Sequence, residues 1–156
     1  MDKNVSEKLI RLLKNKKLSL AIAESCSGGY VSYLITKTPG SSEVFKGSVI
    51  VYSLYSKSIL LGIKKPLLEK TQGVSAEVAK LLAKTMKKKL KTDIGASIVG
   101  FAGPKAYGKM KKGTIFMAID YKGLSTKKIL ISGSRDMVRK KASGLLLEFI
   151  CKKIKP

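Results

Sequence analysis

Histidine is absent from the 156-residue sequence. A serine or cysteine nucleophile activated by imidazole is thereby excluded, as is a histidine-ligated zinc centre. Cys26 and Cys151 are the only cysteines, too few for a disulfide framework or a C-x-x-C metal site, so the expectation is a reduced cytoplasm and no metal. Nowhere do 18 apolar residues run together, which argues against a membrane span. The basic residues ahead of segment 18–23 superficially resemble a secretory signal, but that apolar segment is too short for one. Acidic residues are scarce as well: 10 stand against 32 Lys and Arg, for a formal charge of +22. Such a charge predicts non-specific attraction to polyanions at low salt. Specific nucleic-acid recognition is not expected, because only Arg11, Arg135 and Arg139 carry the guanidinium fork and no aromatic residues interleave with the dispersed lysines.

What is present points to one compact unit spanning residues 1–156, long enough to bury a substantial core and free of repeats or low-complexity linkers. Its organising stretch is Ala23-Glu24-Ser25-Cys26-Ser27-Gly28-Gly29-Tyr30. Residues 18–23 read as a buried strand and residues 30–37 as a helix, so hydroxyls and a thiol fall at a strand-to-helix turn. Such a turn can present a nucleophile, and its free N–H groups can hold an oxyanion or a phosphate. Taken alone, these eight residues fit a plain strand-to-helix loop with a capping serine better than a reactive turn.

Along the chain, Ser6 is expected to cap a helix to about Lys16, with Leu9, Ile10, Leu12 and Leu13 as its apolar stripe. Residues 38–42 form a turn, and 47–52 form a second strand followed by a short helix opening at residues 53–57. A Pro66-containing connector fills 62–73. Ser75 caps an amphipathic helix to about Lys91, and a third strand, 93–100, ends in the small-residue turn 100–104. Residues 113–121 and 125–132 make a hairpin around Lys122-Gly123, and a last helix covers about 135–153. Five strands with helices between them predict an α/β fold, a three-layer α/β/α sandwich around a mixed, mostly parallel five-stranded sheet to which the hairpin adds an antiparallel strand.

Without histidine, an activated serine needs a lysine, carboxylate or tyrosine as proton partner. A lysine serves if burial or neighbouring positive charge lowers its pKa toward neutrality. Periodicity does not choose among the 29 lysines, although Lys57 follows the end of the second strand and is a topological candidate. An exposed helix lysine is the ordinary alternative.

Beyond the elbow motif, Pro39-Gly40-Ser41-Ser42, Tyr52-Ser53 with Lys57, Gly100 with Ala102-Gly103-Pro104, Gly113-Thr114, and Gly133 with Arg135-Asp136 follow in order. In these motifs, from about residue 6 to 150, the chain resembles the CinA C-terminal family as a stand-alone member. The resemblance implies an amidohydrolase that converts the carboxamide of nicotinamide mononucleotide to nicotinate mononucleotide and ammonia, in a homo-oligomer with no cofactor. It implies Ser25 as nucleophile, Lys57 as general base and Tyr52 as a hydroxyl assisting proton transfer. It also places Cys26, Ser27, Gly28, Gly29, Ser42, Gly100, Ala102 and Gly103 at the substrate, the turn 26–29 offering oxyanion donors. Arg135 binds the substrate phosphate or braces the site, with Arg139 a second candidate. Cys26 is the rival nucleophile, reactive but without histidine to ionise it. The alternative function is a catalytically weakened relative that binds a nucleotide or a protein partner.

Two departures from the family pattern fall near the expected site. Leu54 replaces an asparagine after Tyr52-Ser53, and Val99 stands where a threonine or serine is usual. Val99 either lines the pocket, which then lacks a hydroxyl, or packs in the core as the last inward residue of its strand. The loop 105–112 is shorter than the family's and lacks its paired glycines.

Overall fold

Short apolar runs with two-residue periodicity form a single sheet. The computed structural model describes residues 4–155; residues 1–3 and 156 of the expected unit lie outside the described residues. The helices are α1 (Asn4–Asn15), α2 (Tyr30–Thr36), α3 (Leu54–Leu61), α4 (Lys65–Thr71), α5 (Ala76–Leu90) and α6 (Arg135–Ile154). The strands are β1 (Leu20–Glu24), β2 (Phe45–Ile50), β3 (Ile94–Gly100), β4 (Thr114–Asp120) and β5 (Leu124–Leu130), in sheet order β2-β1-β3-β4-β5. β1 runs parallel to β2 and β3, whereas β4 runs antiparallel to β3 and β5. The expected mixed sheet is thus parallel in two of its four pairings, with β4 alone running against the other four strands. A parallel return needs a crossover that covers a face of the sheet, usually through a helix, and the 101–113 connection contains none.

Two local expectations are also corrected. The 62–73 connector contains α4, which Pro66 favours by sitting in the first turn, where its missing N–H costs nothing. Ser6 lies inside α1 and is buried, so it does not cap that helix.

The strands' two-residue period separates two cores. Leu20 and Ile22 of β1, Ile94, Ala96 and Ile98 of β3, and Ile115, Met117 and Ile119 of β4 pack under α1, α2 and α6. Ala21, Ala23, Val99, Phe116 and Ala118 face the other way, onto α3, α4 and α5. On that second face α5 lies close to β3: a Cβ at Gly95 would strike the Ala83 carbonyl, and Ser97 Oγ donates to the Ala79 carbonyl at 2.6 Å. These faces give the three-layer sandwich. Neighbouring strands β1 and β2 send their following helices, α2 and α3, to opposite faces, so a crevice opens between their C-terminal ends, the place where open α/β sheets bind ligands.

Candidate active site

The elbow is built on Glu24. It continues the even-numbered side of β1 and points under α2, with no solvent exposure. Its carboxylate accepts from Ser27 Oγ (2.6 Å), Gly29 N (3.0 Å), Val31 N (3.1 Å), Ser32 N (2.8 Å) and Ser32 Oγ (2.5 Å). Gly29, the residue before α2, offers no side-chain cap, so Glu24 satisfies the donors that begin the helix. Among the described residues no cation pairs with it. Gly28 and Gly29 have φ of 58° and 92°, left-handed conformations that bring the chain round tightly enough for these bonds.

Ser25 begins the turn, its N–H tied to the Ile98 carbonyl at 3.1 Å. Lys57 arrives from the first turn of α3, which Ser53 and Ser56 cap reciprocally. Its Nζ lies 2.9 Å from Ser25 Oγ, 2.8 Å from the Val51 carbonyl and 3.5 Å from the Tyr52 carbonyl. Gly73, between α4 and α5, lies against the lysine: a Cβ there would sit 3.2 Å from its Cδ and Cε. Lys57 is 2% exposed and has no carboxylate partner among the described residues. Loss of water lowers its pKa to about 8, slightly offset by Cys26. The Cys26 thiol moves the other way, to about 12, chiefly through burial, with Glu24 adding to the rise while Lys57 and Arg139 oppose it.

Between the crevice walls lies a cavity of about 320 Å³, within the range of small-ligand sites. Ser25, Cys26, Tyr52, Lys57, Gly100, Ala102, Gly103 and Arg135 line it, together with Leu54 and Lys105 and without any Asp or Glu. Nearly all its charge is therefore positive. Among the described residues no three His, Cys, Asp or Glu side chains cluster to hold a metal.

Several expected site residues sit elsewhere. Ser42 is in a short 3₁₀ turn before β2, at the opposite end of the sheet from the cavity, so the structure removes it from the site. The resemblance matched it through a turn motif that closes the first strand-helix unit. Ser27, Gly28 and Gly29 build the turn behind the cavity without lining it. Tyr52 is 59% exposed, and its hydroxyl accepts from Arg135 Nη2 at 2.5 Å; its carbonyl, not its hydroxyl, faces Lys57. Arg135 also donates to the Gly103 carbonyl. Arg139 turns onto the elbow backbone and does not line the cavity. Val99 is fully buried in the core under α5 and does not line the cavity, which selects packing from the two alternatives open for it.

Sequence reasoning missed Glu24 and Gly73. Glu24 carried a signal, a carboxylate on the inward side of a buried strand just before a helix that has no capping side chain. Gly73 carried none.

The fold and crevice define an α/β/α domain with its elbow at the switch point of the sheet. The chain belongs to the CinA C-terminal domain family, whose model matches residues 2–154. It is 37% identical over 155 residues to the CinA-like protein of Thermotoga neapolitana, covering 99% of this chain and 38% of that protein. Identity reaches 45% over 119 residues with the CinA-like protein of Prochlorococcus marinus subsp. pastoris, covering 76% of this chain and 28% of that one. The chain thus spans well under half the length of these curated relatives. The crystal structure of the competence or damage-inducible protein from Enterobacter asburiae superposes with a TM-score of 0.93 at 26% identity, covering 98% of both chains.

Proposed function

We propose that this chain is an amidohydrolase that hydrolyses the carboxamide of nicotinamide mononucleotide, giving nicotinate mononucleotide and ammonia. The observation that carries this is a buried lysine, without a carboxylate partner among the described residues, 2.9 Å from a serine hydroxyl at a cavity. A lysine with a pKa of about 8 is neutral often enough near pH 7 to accept a proton.

Lys57 Nζ takes the Ser25 proton as Oγ attacks the carboxamide carbon. The carbonyl oxygen becomes an oxyanion beside the Cys26 N–H, which, like that of Ser27, has no acceptor among the described residues. Each such donor is worth about 3 kcal/mol in comparable sites. The tetrahedral centre collapses as Lys57 protonates the departing ammonia, leaving an ester on Ser25. Water then attacks the ester and passes its proton to Lys57, and the second collapse returns a proton to Ser25 Oγ and frees the carboxylic acid. Arg135 and Lys105 at the cavity meet the substrate phosphate, while Leu54 and Phe101 supply apolar walls for its ring. Cys26 is held as a neutral thiol and is not the nucleophile.

Incubating the protein with nicotinamide mononucleotide and measuring ammonia and nicotinate mononucleotide is the direct test; turnover abolished by Ser25→Ala supports the proposal. One observation favours a second possibility: Leu54 lines the cavity where the family carries an asparagine. Tight calorimetric binding of the nucleotide without ammonia release would make the chain a binding protein.

A further inference from the structure

Arg135 and Arg139 lie one turn apart on α6 yet end in different places. Arg135 reaches the cavity rim, whereas Arg139 donates through Nε to the Cys26 carbonyl at 3.2 Å and through Nη2 to the Ser27 carbonyl at 2.9 Å. Among the described residues no carboxylate pairs with it, so its charge is directed onto two successive peptide groups of the elbow. The Ser27 carbonyl shares its peptide with the Gly28 N–H, which donates to the Ser25 carbonyl at 3.0 Å. That carbonyl in turn shares its peptide with the Cys26 N–H. A continuous relay therefore runs from the guanidinium, through two hydrogen-bonded peptides, to the unpaired amide beside the nucleophile.

We infer that Arg139 is a positioning residue that strengthens the Cys26 N–H as an oxyanion donor through this relay. Amide resonance supplies the physics: a cation on a carbonyl oxygen draws electrons from the nitrogen and makes its N–H a stronger donor, and chained bonds reinforce one another. The guanidinium seat is close-fitting. A Cβ at Gly28 would lie 3.2 Å from Arg139 Nη2, and the φ of 58° there already disfavours a side chain. Only the planar fork reaches both carbonyls at once. This role rests on Ser25 being the nucleophile.

The test uses a small fluorophosphonate, which builds an oxyanion-like phosphoryl group without needing the natural substrate. Ser25 Oγ bonds to phosphorus, its proton passes to Lys57 and fluoride leaves. Modification of Ser25 is timed by peptide mass spectrometry in the wild-type protein, Arg139→Gln and Arg139→Lys. Arg139→Gln should slow it about tenfold, less than the loss of a whole donor. Arg139→Lys, reaching one carbonyl, should fall between. The inflection of rate against pH and the affinity for nicotinate mononucleotide should both stay put, since Lys57 and the cavity are untouched.

An unchanged rate in Arg139→Gln overturns the assignment. So does a moved inflection, which would put Arg139 in the field of Lys57, a weakened affinity with normal labelling, or a rate loss that only follows the unfolded fraction seen by circular dichroism. If wild-type Ser25 resists the reagent, the nucleophile is wrong and the role of Arg139 goes with it. Labelling that depends on Arg139, in a protein that leaves nicotinamide mononucleotide intact, refutes the pyridine substrate and leaves the relay standing.

Discussion

The two sides of the elbow handle buried charge in opposite ways. Toward α2, the Glu24 carboxylate is saturated by five donors and forms part of the scaffold. Toward α3, Lys57 is equally hidden but, among the described residues, has only a serine hydroxyl and backbone carbonyls as hydrogen-bond partners. A fully satisfied buried ion rigidifies what surrounds it, and an under-satisfied one is driven toward its neutral form. The same depth of burial therefore makes one side a strut and the other a proton acceptor.

The largest effect should come from breaking the lysine side. Ser25→Ala and Lys57→Ala should each lower kcat by about ten-thousandfold, and the double variant hardly further, because the two act as one unit. Losses that multiply in the double variant would show two independent contributions and dissolve the pair.

Breaking the other side should cost stability first. Glu24→Ala leaves buried N–H and hydroxyl donors without an acceptor, an expected loss of about 3 kcal/mol or more in urea unfolding. A midpoint within a few tenths of wild type would mean that the α2 amides find other partners and that Glu24 is no strut.

The lysine side should show the opposite sign. Its folded pKa of about 8 lies below the ordinary 10.5, so between those values the unfolded chain binds a proton that the folded protein has shed. Stability should therefore rise with pH across that window, by about 3 kcal/mol from this residue, and the full cost should persist below pH 8. Lys57→Met should be more stable than wild type at pH 7, lack this rise and have no activity. Wild-type hydrolysis should increase through the same pKa, because only the neutral amine accepts the serine proton. A flat rate between pH 6 and 9 would contradict a lysine base.

The smallest effect is expected at Val99, in the core under α5. Val99→Thr should lower stability by about 1 to 2 kcal/mol, through an unpaired hydroxyl, and leave kcat/KM unchanged. A gain in kcat/KM would return this position to the site.

Local patterns in the sequence already determined a good deal. The missing histidines removed imidazole chemistry, Gly28 and Gly29 marked the tight turn, Ser75 marked a helix start, and two-residue periodicity marked the strands that separate the cores. Each of these acts within one element, over a few residues, and so can be read without a fold. Tertiary structure alone decided which of the lysines is desolvated, because Ser25 and Lys57 are 32 residues apart and Gly73, packed against the lysine, comes from another connection. It also turned Val99 into the core, set Ser42 at the far end of the sheet, reversed β4, and brought Arg139 onto the elbow from 113 residues beyond Cys26. Desolvation and hydrogen-bond partnership belong to the space between elements, and periodicity within an element says nothing about what that space contains.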